Sequence, residues 1–182
     1  MKNIILIAIL FTSTLCFGQL DSIQKPIHSF TLGVDISNTI KGGTVNGRAL
    51  DFQLKYSLET VRQGVEIGVI YERFPKLNFE FFGMTSNKVF KRDRIHLVAG
   101  LEQGVIHRWR GLLFPINDSH TYTYTYGVNG EIRYTLNERW SIGLQHNLRR
   151  RLDIGTKWIG SNWFNLRYEI QRKNKYRKIN IY

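Results

Sequence analysis

The sequence contains one cysteine, Cys16, and no apolar run long enough to cross a bilayer as a helix. A transmembrane helix needs about 20 predominantly apolar residues, and the run at residues 4–11 falls far short of that length. Because Cys16 lies just beyond this run, removal of the N-terminal segment would leave no thiol. Disulfide and thiol chemistry are therefore excluded for the mature chain.

Residues 1–18 have the layout of a secretory signal peptide. Lys2 supplies the positive charge, residues 4–11 the apolar core and residues 16–18 a small-x-small cleavage motif. Lipidation of the cysteine would require a small residue before it, and Leu15 is bulky. We therefore expect the chain to be exported and the segment to be removed.

Acidic residues are scarce: 14 Asp and Glu stand against 26 Lys and Arg, which gives a formal net charge of +12. A chain this basic is expected to seek anionic partners. An exported chain has little access to nucleic acid, and the sequence has no recognition-helix or basic-helix pattern. Phosphate-bearing membrane lipids are the expected partner.

A period of two organises residues 121–148. Even positions from Tyr122 to Tyr134 are mostly apolar or aromatic, whereas odd positions are small or polar. After a break at residues 135–139 the alternation resumes from Trp140. A period of two places alternate residues on opposite faces of a strand, so this stretch predicts a hairpin with one apolar and one polar face.

Large aromatic residues stand at both ends of this hairpin. Tyr134 and Trp140 flank its turn, and Tyr122 and Tyr124 lie at the opposite end, with aliphatic residues between them. Tyr and Trp settle at the headgroup depth of a bilayer. The pattern favours a membrane-spanning hairpin, and the alternative is half of a soluble barrel whose apolar face points inward.

The same alternation predicts eight strands and no helix of useful length. Looser connections fall at residues 38–47, 109–120 and 150–160, and tight ones at 58–61, 91–94 and 135–139. Pro75 marks a short break where a longer loop is expected. In the fourth strand, Phe79 and Phe81 share one parity and Phe82 the other, and a β-bulge near Phe81 would reconcile them.

Placing both termini in the periplasm puts the tight turns on one side and gives two aromatic girdles. The periplasmic edge would carry Phe30, Tyr56, Phe90, Tyr134, Trp140 and Tyr168, and the outer edge Tyr71, Phe74, Trp109, Tyr122, Tyr124 and Trp158.

On these features, and on the turn at residues 136–140, the chain resembles the small eight-stranded outer-membrane β-barrels of Gram-negative bacteria, the OmpA-transmembrane and OmpX-like group. The resemblance implies an all-β, antiparallel up-and-down transmembrane barrel over residues 19–171. It also implies outer-membrane localisation, a monomer and no cofactor. Such barrels usually end on an aromatic residue, but residues 172–182 continue here, either as a longer strand closed by Tyr182 or as a basic tail.

The polar face would line the interior of such a barrel. Its predicted ion network comprises Asp51, Lys55, Glu66, Glu131, Arg133, Arg167 and Glu169, and the same face carries Asp35, Glu72 and Arg149. Buried charges must pair. Because eight strands leave an interior that side chains just fill, we expect a plug, with a polar conduit as the alternative.

Candidate catalytic sets are poor. Ser141 and His146 have opposite parity and cannot cooperate, and His107 and His120 lie near Asp118 without a serine that their spacing would position. The five histidines look too scattered for a metal site. We therefore predict neither a catalytic set nor a metal site.

Cations gather at the predicted outer rim. They are Arg108, Arg110, Arg149, Arg150, Arg151 and Lys157, set against Asp118 and Asp153. Guanidinium groups match phosphate geometry, so the rim could bind lipopolysaccharide phosphates or an acidic polymer. The alternative is that these cations merely allow the barrel to coexist with anionic lipid.

The expected function is that of a non-enzymatic integral outer-membrane barrel of structural or surface-interaction type. Two alternatives are a soluble lipocalin-like barrel that binds an apolar ligand and a lipid-modifying barrel enzyme.

Overall fold

Eight antiparallel strands form a closed barrel in which neighbours in space are neighbours in sequence. The computed structural model describes residues 26–37, 50–60, 63–75, 78–109, 120–152 and 157–170. The strands are β1 (Ile27–Asp35), β2 (Phe52–Thr60), β3 (Val65–Phe74), β4 (Phe79–Arg92), β5 (Ile95–Trp109), β6 (His120–Thr135), β7 (Trp140–Arg151) and β8 (Lys157–Ile170). Closure between β1 and β8 gives every strand two paired neighbours, which confirms the predicted architecture.

Some predicted segments lie outside the described residues. They are the signal peptide at 1–18, the loop at 38–47, most of the loop at 109–120, and the tail at 172–182 with Tyr182. Within the described ranges, no helix has the length and apolar character needed to cross a membrane.

The apolar side of each strand faces outward, as predicted. Leu54, Val128 and Leu144 are 48%, 45% and 57% exposed, whereas Lys55 and Glu131 are 4% and 6% exposed. A soluble barrel would show the reverse, because it buries its apolar face. The structure therefore contradicts the lipocalin-like alternative.

The connections give the barrel two distinct ends. Turns at residues 63–64, 93–94 and 136–139 lie at the end that also carries the start of β1 and the end of β8; we call it the turn end and its opposite the loop end. The Asn137 side chain accepts hydrogen bonds from the backbone N–H groups of Arg139 and Trp140 at 2.9 and 3.0 Å. This Asx-type turn is why the hairpin reverses so sharply.

The connection between β3 and β4, at the loop end, is also short, as the position of Pro75 predicted. The N–H of Asn78 donates to the carbonyl oxygen of Pro75 at 3.3 Å, and Asn78 has a φ of 51°. Asparagine tolerates this left-handed conformation better than most residues. Strands β3 and β4 are thus joined tightly at the end where the other connections are longer.

The predicted bulge in β4 is wrong. Pairing between β4 and β5 runs without interruption from Phe79 opposite Arg108 to Arg92 opposite Ile95. Phe81 points inward with no exposed surface, while Phe82 points outward and is 62% exposed. Aromatic residues occur at both parities because the interior near the loop end contains aromatic rings as well as charged side chains.

That interior contains a small aromatic core. Its members are Ile70, Phe74, Phe79, Phe81, Ile106 and Trp163. Phe74 stacks on Phe79 with ring centroids 4.2 Å apart and meets the edge of Trp163 at 5.7 Å. Phe74 is only 5% exposed, so its predicted place in the outer girdle is wrong.

The remaining girdle aromatics lie on the outside. At the turn end, Trp140 packs against Tyr168 at 4.8 Å and Phe30 against Tyr56 at 5.1 Å. Tyr134 lies beside them at 42% exposure. Towards the loop end, Tyr122 and Tyr124 are 70% and 42% exposed, and Tyr71 is half-buried on the same outward face. The outside thus carries an aliphatic band between two sets of aromatic rings.

Candidate functional site: the charged interior and the loop-end rim

Glu66 on β3 is the centre of an ion network inside the barrel. Its carboxylate lies 2.6 Å from Lys55 Nζ and 3.3 Å from Arg133 Nη2, and it also pairs with Arg167 Nη1. All four side chains are at most 4% exposed. Three cations from β2, β6 and β8 therefore converge on one carboxylate of β3.

The network extends towards the turn end. Arg133 reaches Glu131 at 2.8 Å, and Glu59 pairs with Arg167 at 3.4 Å and with Lys91 at 2.5 Å. Sequence reasoning missed Glu59 because it was assigned to a turn, yet it continues the inward parity of β2. That parity was the signal that could have found it.

A second ion cluster lies beside the aromatic core. Arg149 Nη1 is 2.7 Å from Glu72, and its Nε is 2.8 Å from Glu102. Gln53 donates to Glu72 at 3.0 Å, and the guanidinium carbon of Arg149 lies 3.7 Å from the centroid of Phe81. One arginine thus separates two carboxylates while it covers an aromatic face.

Two further residues complete the predicted interior set. Asp51 is 1% exposed, and Glu169 lies 3.6 Å from Arg167 Nε with its side chain 18% exposed. Among the described residues, seven carboxylates and five cations are buried. The positive charge of the chain therefore comes from its other charged residues, in which 21 Lys and Arg outnumber seven acidic residues.

Three of the predicted rim residues have inward parity: Arg149, also predicted on the polar face, and Arg151 are buried, and Arg108 pairs with the inward Phe79. Strand β7 continues to Arg151, so the alternation turns Arg149 and Arg151 inward, each 6% exposed. Arg151 lies 4.1 Å from the ring centroid of Phe79, and Arg108 lies 5.9 Å from the same ring. Arg110 lies outside the described residues.

Arg150 faces outward at the loop end, whereas Lys157 is exposed at the tip of β8 but pairs with the inward Arg151. Arg150 Nη1 donates to the hydroxyl of Tyr126 at 3.2 Å, and Tyr126 meets the edge of Trp158 at 6.2 Å. Lys157 is exposed beside them. We call Tyr126, Arg150, Lys157 and Trp158 the rim cluster; it combines cations with amphipathic rings, as suits headgroup depth.

The candidate catalytic residues are placed as follows. Ser141 is buried inside, whereas His146 is exposed on the outside, where its Nδ1 lies 2.8 Å from Asn162 Oδ1. His107 and His120, predicted to be scattered, lie at the paired ends of β5 and β6 with 2.9 Å between Nε2 and Nδ1. No group of three or more metal-ligating side chains converges within the described part of the chain.

Comparisons of the sequence with protein-family models and with curated proteins find no match. Solved structures do match. The Yersinia pestis outer membrane protein Ail, in a phospholipid bilayer nanodisc, has a TM-score of 0.51 at 15% identity, covering 80% of this chain and all of Ail.

Two further solved structures have the same architecture. The N-terminal β-barrel domain of Pseudomonas aeruginosa OprF has a TM-score of 0.57 at 9% identity, covering 81% of this chain and 98% of that domain. Neisserial surface protein A has a TM-score of 0.53 at 12% identity, covering 81% of this chain and 96% of that protein. The chain thus has the fold of the small eight-stranded outer-membrane β-barrels.

Proposed function

We propose that the protein is a monomeric integral outer-membrane barrel with a structural or surface-interaction role rather than a catalytic one. In the orientation that we propose for the barrel in the outer membrane, the turn end faces the periplasm and the loop end faces the outside. Closure leaves no strand edge that needs a second copy. The outward His146 and the inward Ser141 do not meet, which supports a role without acyl-transfer chemistry.

The exposed apolar band is the observation that carries this proposal. Side chains such as Leu97, Leu101 and Ile132 are 51%, 64% and 61% exposed, while charged residues fill the interior. A monomer in water rarely exposes so much contiguous apolar surface. A bilayer removes that cost, and a closed barrel satisfies the backbone inside it.

Cell fractionation and gel migration test the membrane assignment. We expect the exported protein in the outer-membrane fraction, with a folded band that migrates differently from the boiled sample in detergent gels. The ion clusters and the closed sheet should hold the fold until heating. Recovery in the soluble periplasmic fraction, or migration that boiling leaves unchanged, would contradict the assignment.

We further propose that the rim cluster binds the phosphate groups of lipopolysaccharide. Arg150 is held next to Tyr126 and Trp158 on the outward face, and Lys157 adds a second cation at the exposed tip of β8, where it precedes Trp158. A Lys or Arg near an anionic membrane surface contributes about 1 kcal/mol each. Loss of both should therefore weaken lipid binding roughly tenfold or more.

A matched pair of double variants tests this second proposal. Arg150→Gln with Lys157→Gln removes two charges from the loop end, and Arg92→Gln with Arg94→Gln removes two exposed charges from the turn end. The measurement is the amount of bisphosphorylated lipid A that co-purifies with each barrel. Only the first variant should lose it. Equal losses from both would mean that the cations merely accompany anionic lipid.

A further inference from the structure

A histidine pair lies on the outward face at the loop end, apart from the interior network. His107 near the end of β5 and His120 at the start of β6 are 2.9 Å apart between Nε2 and Nδ1, with rings inclined by 21°. His107 also stacks on Tyr122 at a centroid distance of 4.6 Å. The ring of His107 is therefore held in place while its Nε2 meets a second imidazole nitrogen.

A carboxylate lies on the other side of the same ring. Glu80 Oε2 is 3.8 Å from Nδ1 of His107, and Glu80 Oε1 accepts a hydrogen bond from the hydroxyl of Tyr71 at 2.9 Å. Glu80 thus faces the Nδ1 side of the ring, and His120 faces the Nε2 side. This leaves the Nε2 lone pair of His107 directed away from Glu80, towards His120.

We propose that His107 and His120 form a site for a divalent transition-metal ion, with Glu80 as the carboxylate that orients His107. His107 would supply Nε2, and His120 would supply Nδ1 once its proton moves to its own Nε2. Carboxylates commonly hold metal-bound histidines by accepting the ring N–H, and Glu80 would close from 3.8 Å to do so. Water would fill the remaining coordination positions, because the described residues offer no third converging ligand.

The spacing of the two nitrogens, which is that of a hydrogen bond, is also compatible with Cu²⁺. Two adjacent ligands of a tetragonal ion, at bond lengths of about 2.0 Å and an angle near 90°, are roughly 2.8–2.9 Å apart. The observed separation is 2.9 Å. A tetrahedral Zn²⁺ ion would need a larger separation between the two nitrogens, so the rings would have to move apart. Nitrogen ligands also bind Cu²⁺ more tightly than Zn²⁺.

Titration of the refolded barrel with CuCl₂ tests the site. After removal of bound metal by a chelator, calorimetry should show one equivalent of Cu²⁺ bound and electron paramagnetic resonance should show coordination by nitrogen. The indole of Trp109 lies 5.6 Å from the ring of His107, so binding should quench part of the tryptophan fluorescence. A wild-type barrel that binds no Cu²⁺ overturns the proposal.

Single variants locate the ion. His107→Ala and His120→Ala should each weaken binding by tenfold or more, while the exposed His146→Ala serves as the matched control and should bind as the wild type does. Heat-dependent gel migration shows that each variant is folded. Binding that survives in both His107→Ala and His120→Ala, or falls equally in the His146→Ala control, overturns the site.

Glu80→Gln tests the orienting role separately. Loss of a carboxylate that holds a metal-bound histidine weakens metal binding by about 10- to 100-fold. An affinity unchanged by Glu80→Gln would remove Glu80 from the site.

Discussion

Replacement of Glu66 by glutamine is expected to lower the free energy of unfolding by about 3–5 kcal/mol, the usual cost of removing one partner from a buried ion pair. Glu66 has no exposed surface and faces Lys55, Arg133 and Arg167. Glutamine keeps the shape but removes the charge. Because a guanidinium does not lose its proton in a protein, both arginines would remain charged inside the barrel with one carboxylate fewer.

Urea unfolding of the barrel in lipid vesicles, followed by tryptophan fluorescence, gives the midpoints for this comparison. Glu169→Gln is the matched control, because Glu169 pairs with the same Arg167 at 3.6 Å but is partly exposed at the turn end. Its loss should cost less than about 1 kcal/mol. If the two variants unfold at the same urea concentration, Glu66 is not the centre of a buried network.

Adding Lys55→Met to the Glu66→Gln variant extends the test. The lysine loses its carboxylate at 2.6 Å in the single variant, whereas methionine carries no charge to compensate. The double variant should therefore be more stable than Glu66→Gln alone, and the Lys55→Met single variant completes the cycle that gives the coupling of the pair. A further loss of stability on adding Lys55→Met would contradict a direct pairing.

The orientation of the strands could be predicted from the sequence. A period of two fixes faces, since a slip of one residue would move a whole strand's side chains to the other face. Leu144 outside and Glu131 inside therefore follow from parity alone. The aromatic residues at both ends of the aliphatic band then indicated that the apolar face meets lipid.

The partners inside the barrel could not be predicted in the same way. Parity says that Glu66 and Arg167 both face inward, but they are 101 residues apart. Their contact depends on the stagger of the strands and on closure between β1 and β8. The depth of a side chain along the barrel axis depends on how all the strands of the closed barrel are staggered, which the sequence of one strand does not give.

Two wrong predictions share a physical cause. Phe81 was given a bulge because an inward residue was assumed to be polar, and Arg151 was assigned to the exposed rim, where Arg149 was also counted although its parity had placed it on the polar face. In the structure, Phe81 packs inside next to Arg149, whose guanidinium covers its ring. The interior near the loop end thus mixes aromatic rings with arginines.

Adjacent arginines on β7 give the second large prediction. Arg149→Gln should destabilise the barrel by about 3–5 kcal/mol, because Glu72 and Glu102 would then remain buried without the cation between them. Among the described residues, the same change at Arg150 removes an outward hydrogen bond to the Tyr126 hydroxyl at 3.2 Å. We expect that loss to cost less than about 1 kcal/mol.

Both variants remove one positive charge and differ by a single position in the chain, so net charge and composition cannot explain a difference between them. Unfolding in urea, under the same vesicle conditions, should separate their midpoints clearly. A larger effect at Arg150 than at Arg149 would mean that β7 presents its other face to the interior. Arg149 pairs with Gly127 and Arg150 with Tyr126. That result would therefore also exchange the inward and outward faces of β6, and the orientation of the barrel wall would be wrong.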